Sequence, residues 1–157
     1  MRNYWEEAKQ VCIKTSEEIV GGFNVGFDPE ISGETRDLLM DFVYWVEDHY
    51  NMPVTLWVDF CYRHYLVTRD KKRVGYKFYW VDFENYPTFT KEADIPVIEL
   101  PVRTERWTIE EILTSFAEGL THYFAWLCNE HTPDFIPDKA LTEVILQQYL
   151  KEEKSNA

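Results

Sequence analysis

The chain has 157 residues, of which 45% are hydrophobic and 17% aromatic, and this composition suits one packed domain and excludes a disordered chain. Its 16 Lys and Arg residues against 28 Asp and Glu residues give a net charge of −12, which disfavours direct binding to nucleic acid because phosphate backbones attract cationic side chains. No apolar run reaches the length of about 18 residues that a membrane span needs, and the N-terminus lacks the apolar stretch of a signal peptide. We therefore expect a cytoplasmic protein that does not contact membranes.

The first third of the chain predicts two helices. Apolar residues recur at helical spacing from about Tyr4 to Val20, and again from about Glu34 to Tyr50. The glycine-rich stretch between them, Gly21–Gly33, predicts a loop, and it lacks the Gly-Lys-Ser/Thr of a phosphate-binding loop.

The middle of the chain predicts strands. Side chains alternate over Val54–Phe60, a further strand covers about Tyr62–Thr68, and the polar turn Arg69–Lys72 leads to an aromatic strand at Val74–Asp82. Together they predict a long antiparallel hairpin. The apolar stretch Pro96–Val102 is bounded by prolines, which predicts a strand at the edge of the sheet.

The last third predicts two more helices. The first begins with the capping box Thr108-Ile109-Glu110-Glu111 and continues to about Asn129. The second covers about Asp138–Leu150, and the polar tail Lys151–Ala157 is expected to be frayed. On the first of these helices, the apolar side chains share one face, and the opposite face carries Glu111, Ser115, Glu118, His122 and Ala125.

The segment Glu118–Trp126, EGLTHYFAW, resembles the helix of zincin-type metallopeptidases, including SprT-like proteins, that carries the motif His-Glu-x-x-His. The resemblance implies a zincin-like outline in which the strand at Pro96–Val102 is the edge strand before that helix. The resemblance covers the stretch from about Val54 to Trp126, but only the nine residues Glu118–Trp126 match a specific motif.

The zincin motif itself is degenerate. Glu118 stands at the position of the first zinc ligand, Gly119 at that of the catalytic glutamate, and only the second histidine remains, as His122. Zinc hydrolysis needs ligands that hold the metal and a carboxylate that takes a proton from the bound water. We therefore expect a pseudoenzyme without catalytic residues, metal or cofactor. The candidates that remain for metal ligands are Glu118, His122 and, on the last helix, Glu143.

The same helix has a purely structural interpretation. Glu118 and His122 are four residues apart, so they can form an ordinary solvent-facing pair. Gly119 is unfavourable inside a helix by about 1 kcal/mol against alanine, and a close approach of backbone, such as the neighbouring edge strand, would explain its presence.

The three cysteines offer little support for nucleophilic catalysis. Cys12, Cys61 and Cys128 form no C-x-x-C pair. His64 and His131 stand near Cys61 and Cys128 in sequence, yet the apolar surroundings favour inert, reduced thiols in the core.

These patterns predict a single α+β domain over residues 1–157, with two N-terminal helices, a mostly antiparallel sheet of three to four strands and two C-terminal helices. The function we expect is that of a non-catalytic acidic binding protein that inhibits or modulates a protein partner with a basic surface. Phage or mobile-element inhibitors of nucleic-acid enzymes, such as anti-CRISPR proteins, act in this way by imitating polyanions. Two alternatives stay open: a metal-dependent hydrolase with an atypical Glu118/His122 site, and a structural subunit of a larger complex.

Overall fold

A computed structural model of the chain describes residues 22–50, 52–81, 95–128 and 139–156. The helix predicted for Tyr4–Val20, Cys12 and the loop after residue 129 lie outside the described residues. Within them, the strands and helices are β1 (Phe23–Phe27), α1 (Gly33–His49), β2 (Leu56–Cys61), β3 (Leu66–Val67), β4 (Arg73–Val74), β5 (Lys77–Val81), β6 (Ile95–Pro101), α2 (Ile109–Leu127) and α3 (Lys139–Asn156). The predicted α+β class is confirmed.

The main sheet has four strands in the order β1-β2-β6-β5. The pairs β1–β2 and β2–β6 are parallel and only β5–β6 is antiparallel, so the prediction of a mostly antiparallel sheet is wrong. The long hairpin is wrong as well, because β6 lies between β2 and β5, and only β3 and β4 form a short hairpin around the predicted turn. The sheet is mixed because α1 carries the chain from β1 back to the start of β2, as parallel neighbours require.

Strand β1 replaces part of the loop predicted for Gly21–Gly33. Its residues Phe23, Val25 and Phe27 pack against the core, so the stretch has the alternation of a strand. Gly22 just before the strand and Gly26 within it are typical of a loop, and for this reason the sequence predicted one.

Strand β6 lies in the interior of the sheet, which corrects its predicted edge position. Pro96 pairs with β5 but lies before the stretch that pairs with β2, and Pro101 pairs with β2 but lies beyond the stretch that pairs with β5. Successive residues of a strand direct their N–H groups to opposite sides. Each proline can therefore face, with the ring nitrogen that lacks a hydrogen, the side on which it has no paired strand. Both prolines are thereby tolerated in an interior strand.

The helix starts follow the local sequence. The Ser32 side chain accepts a hydrogen bond from the Thr35 N–H at the start of α1, and Thr108 and Glu111 form the predicted capping box of α2. Helix α3 continues to Asn156, so the expectation of a frayed tail is wrong. Its last turns are held against α1, because the Trp45 indole N–H donates to the Glu152 carboxylate.

The core lies between one face of the sheet and the helices. Phe60 of β2, Phe116 of α2, Phe42 of α1 and Tyr149 of α3 form a chain of aromatic contacts, with ring centroids 5.8, 5.2 and 5.0 Å apart in that order. Helices α1 and α2 thus cover one face of the sheet, and α3 packs on them from outside. Among the described helices, none is long and apolar enough to cross a membrane.

Candidate functional site

Glu118 and His122, the residues of the degenerate motif, lie on the side of α2 that faces β5. Both are half-buried, because Tyr76 and Phe78 cover them, with ring centroids 5.5 and 5.6 Å from the His122 ring. The interpretation as a solvent-facing pair is therefore wrong. Ala125, placed on the same polar face by the sequence, is fully buried, so α2 is packed on almost every side.

A tyrosine that the sequence did not single out joins the two residues. The Tyr76 hydroxyl lies 3.0 Å from His122 Nε2 and also hydrogen-bonds the Glu118 carboxylate. Burial, and next the negative charge of Glu118, raise the pKa of Tyr76, so its hydroxyl stays protonated and cannot act as a base at neutral pH. Burial also raises the pKa of Glu118, while Lys139 and the hydrogen bond from Tyr76 act against that rise.

Gly119 faces the sheet at β6. A Cβ atom at this position would lie 2.9 Å from Cδ1 and 3.2 Å from Cγ2 of Ile98 on β6. The predicted close approach of a backbone is therefore wrong in kind, because the interior strand β6 makes its nearest contacts through the Ile98 side chain. The position that the zincin resemblance assigns to the catalytic base thus points into a filled core, where a carboxylate has no room.

The candidates for metal ligands do not gather into a site. In the described ranges of the chain, no three His, Cys, Asp or Glu side chains are placed to hold a metal ion. Glu143 lies exposed on α3, whereas Glu118 and His122 are half-buried beneath β5.

Cys61 forms no disulfide bond with a described residue, and both Cys61 and Cys128 are half-buried, not enclosed in the core as expected. Burial, with the negative charges of Glu99, Asp28 and Asp59, raises the pKa of the Cys61 thiol to about 11. The thiolate is the nucleophilic form, so this cysteine is unreactive near neutral pH.

A groove of about 920 Å³ runs along β5 above His122. Its walls are chemically mixed, since aromatic side chains alternate with Arg69, Lys77 and Glu99. Lys77, Tyr79 and Glu99 belong to the face of the sheet opposite α2, so the groove reaches round the edge strand β5.

A second groove, of about 420 Å³, separates the exposed sides of α1 and α3, and we call it the acidic groove. Its lining comprises four carboxylates and three aromatic side chains, without Lys or Arg: Asp41, Tyr44, Trp45, Asp48, Tyr149, Glu152 and Glu153. Tyr44 stands at its rim with 61% of its surface exposed.

Hydrogen bonds fix the walls of the acidic groove. The Tyr149 hydroxyl donates to Asp41 Oδ2 at 2.6 Å, and Glu152 lies 3.2 Å from His49 Nε2 while it accepts from Trp45. Burial, and next a hydrogen bond with Asp41, raise the pKa of Glu153. The carboxylates are thus held close together by the fold, where a cation would relieve their mutual repulsion.

The sequence contains a signal for the acidic groove outside the zincin-like motif. Asp37, Asp41, Tyr44 and Asp48 recur at spacings of four, three and four, which is one exposed face of α1. The contribution of α3 had no such signal, because Glu152 and Glu153 lie in the segment expected to be frayed.

No family model, curated protein or solved structure matches this chain. The zincin-like resemblance therefore stays a prediction from nine residues of α2.

Proposed function

We propose that this protein is a non-catalytic binding protein that inhibits or modulates a partner protein by engaging its basic surface. The observation that carries the proposal is the acidic groove, whose lining combines four carboxylates and three aromatic rings without a Lys or Arg side chain. Such a lining matches Lys and Arg side chains both in charge and through cation–π contacts.

Charge and exposed aromatics have separate parts in this binding. The net charge of −12 attracts a basic partner and speeds its docking. Tyr44 projects from the rim and can bury its ring against the partner, and tyrosines are among the residues that contribute most to binding free energy at interfaces. An acidic surface of this kind can compete with a polyanion for the basic site of a nucleic-acid enzyme, which is the mode of action expected of an anti-CRISPR-like inhibitor.

The chemistry of the described residues favours binding over hydrolysis. Gly119 offers no general base, and Ile98 fills the space in front of it. Tyr76 keeps its proton, and the raised pKa of Cys61 disfavours the thiolate. These features support a scaffold with a zincin-like helix and without its reaction.

The proposal is tested with a peptide of ten lysines as the probe and calorimetry as the readout. We expect the wild-type protein to bind the peptide, and the affinity to fall steeply from about 0.1 M to about 1 M salt, over which the Debye length shrinks from about 10 to about 3 Å. The double variant Asp41→Asn/Asp48→Asn should bind at least about tenfold more weakly, because close charge pairs at interfaces contribute over about 1.5 kcal/mol.

The matched control is Glu110→Gln/Glu143→Gln. It removes two negative charges from exposed positions outside the acidic groove. We expect it to bind within about twofold of the wild type, since exposed charges away from the contact act only through the general field. Equal losses in both double variants would mean that net charge alone attracts the peptide, and the assignment of the groove would be wrong.

A further inference from the structure

The face of the sheet opposite the helices, which we call the open face, carries two rows of side chains in register. One row, across all four strands, is Asn24–Trp57–Val97–Tyr79, and the next is Gly26–Asp59–Glu99–Lys77. Among the described helices, none packs on these rows, because α1 and α2 contact the other face.

The first row is an aromatic surface. Trp57 is 41% and Tyr79 36% exposed, and Val97 is buried between them. Rings of this size that stay exposed suit contact with a partner, since their burial contributes strongly to association.

The second row places two carboxylates side by side. Asp59 and Glu99 are direct neighbours on β2 and β6, an arrangement of like charges that destabilises a sheet. The Tyr79 hydroxyl donates to Glu99 Oε1 at 3.1 Å, whereas no described residue forms a hydrogen bond or ion pair with the Asp59 carboxylate. Burial, followed by the charges of Glu99 and Asp28, raises the pKa of Asp59.

Gly26 leaves one side of Asp59 open. A Cβ atom at Gly26 would lie 3.2 Å from Asp59 Oδ1, so any larger residue there would crowd the carboxylate. The open face thus has an accessible anionic group next to exposed rings.

Charge decides between the occupants that such a face could take. A second copy of this chain would bring Asp59 and Glu99 against the same pair, and each copy has a net charge of −12. A basic protein segment complements the carboxylates instead, and its cationic groups can stack on the aromatic rings.

We propose that the open face is a second docking surface, which binds a basic segment of a protein partner by placing a Lys or Arg side chain between Asp59 and Glu99, against Trp57 and Tyr79. The proposal rests on the protein-binding function above but assigns a different surface, on the far side of the sheet from the acidic groove. The open face also carries Lys77, which pairs with Glu99 on the side away from Asp59. A basic partner that engages both surfaces would wrap around the molecule.

The test is an NMR titration of the full chain with a peptide of ten arginines. The indole N–H signals of Trp57 and Trp45 report the open face and the acidic groove separately, and Trp→Phe variants assign them. We expect the Trp57 signal to shift saturably. Trp57→Ala removes its own reporter, so binding to this variant is read from the backbone amide signal of its neighbour Val97, and it should be at least about tenfold weaker, as loss of an aromatic anchor makes it.

Asp59→Asn keeps the shape of the side chain and should weaken the same binding about threefold. Val67→Ala is the control for Trp57→Ala, because Val67 is also exposed and apolar but lies on the β3–β4 hairpin. It should leave the titration unchanged.

The outcomes separate the two proposals. If the Trp45 signal shifts and the Trp57 signal does not, the open face is not a docking surface, while the acidic groove remains supported. If only the Trp57 signal shifts, the open face alone is supported. Protection of Trp57 from acrylamide quenching in the free protein would overturn the proposal, since the chain itself would then cover the face. A Trp57 shift that follows protein concentration without peptide would also overturn it, in favour of self-association.

Discussion

Gly119 lies in the middle of α2, where replacement by alanine tests how tightly the helix packs on the sheet. Alanine is favoured over glycine in a helix by about 1 kcal/mol. Against this gain, the new Cβ atom would lie 2.9, 3.2 and 3.3 Å from three carbon atoms of Ile98. Ile98 is fully buried, so it has little room to move.

The size of the effect follows from these two terms. Overpacking a well-filled core costs about 1–3 kcal/mol, which outweighs the helix gain. We therefore expect Gly119→Ala to lower the free energy of unfolding by about 1 kcal/mol net. In a protein of this size that loss lowers Tm by about 2–4 °C.

Ile98→Val provides the decisive background, because it removes Cδ1, the atom nearest to the new Cβ. Alone it should cost about 0.5–1.5 kcal/mol. In that background Gly119→Ala should become neutral or stabilising, with a coupling of about 1–2 kcal/mol between the two sites. Urea unfolding followed by circular dichroism measures all four proteins, and unchanged m-values would show that only stability differs.

Gly33→Ala is the matched control. Gly33 begins α1, and a Cβ atom there would meet no heavy atom within 4 Å, so the substitution should be neutral or stabilising. A Gly119→Ala variant more stable than the wild type would show that α2 does not pack tightly on Ile98. A coupling with Ile98→Val below about 0.5 kcal/mol would show the same.

Three further predictions concern single groups. Tyr76→Phe should lower the free energy of unfolding by about 1 kcal/mol through loss of a hydrogen bond. It should also raise the pKa of Glu118 further, because the hydrogen bond from the Tyr76 hydroxyl lowers that pKa. An NMR titration in which the pKa of Glu118 falls would contradict this. Cys61 should react slowly with iodoacetamide at pH 8, because a thiol of pKa about 11 is only ~0.1% thiolate at that pH. The rate should increase as the pH rises. A rate that levels off below pH 9 would be inconsistent with a thiol that is buried beside carboxylates. Thr108→Ala should lower the free energy of unfolding by about 1 kcal/mol through loss of the capping box with Glu111, and an unchanged urea midpoint would exclude that role.

The local elements of this protein are determined by its sequence. The caps at Ser32 and Thr108, the helical spacing of apolar residues after each, and the alternation along β2 all depend on neighbours a few residues away. For this reason the starts of α1 and α2, the strand β2 and the α+β class could be predicted. The candidate pair Glu118 and His122 was also correctly placed on one side of a helix.

The tertiary structure alone decided which elements meet. Strand β6 pairs with β2 because the chain returns to it after the β3–β4 hairpin and β5, and no local pattern of Pro96–Pro101 encodes that neighbour. The same long-range pairing sets Asp59 beside Glu99, and the packing of α3 on α1 forms the acidic groove.

Tyr76, which joins the two motif residues, comes from a segment 46 positions before His122 in the chain. Contacts of this kind result from the burial of apolar surface by whole elements, which is non-directional and leaves little trace in local spacing. The sequence of α2 therefore determined a helix with a degenerate motif. Only the fold placed that motif under β5 and left the acidic and aromatic surfaces elsewhere.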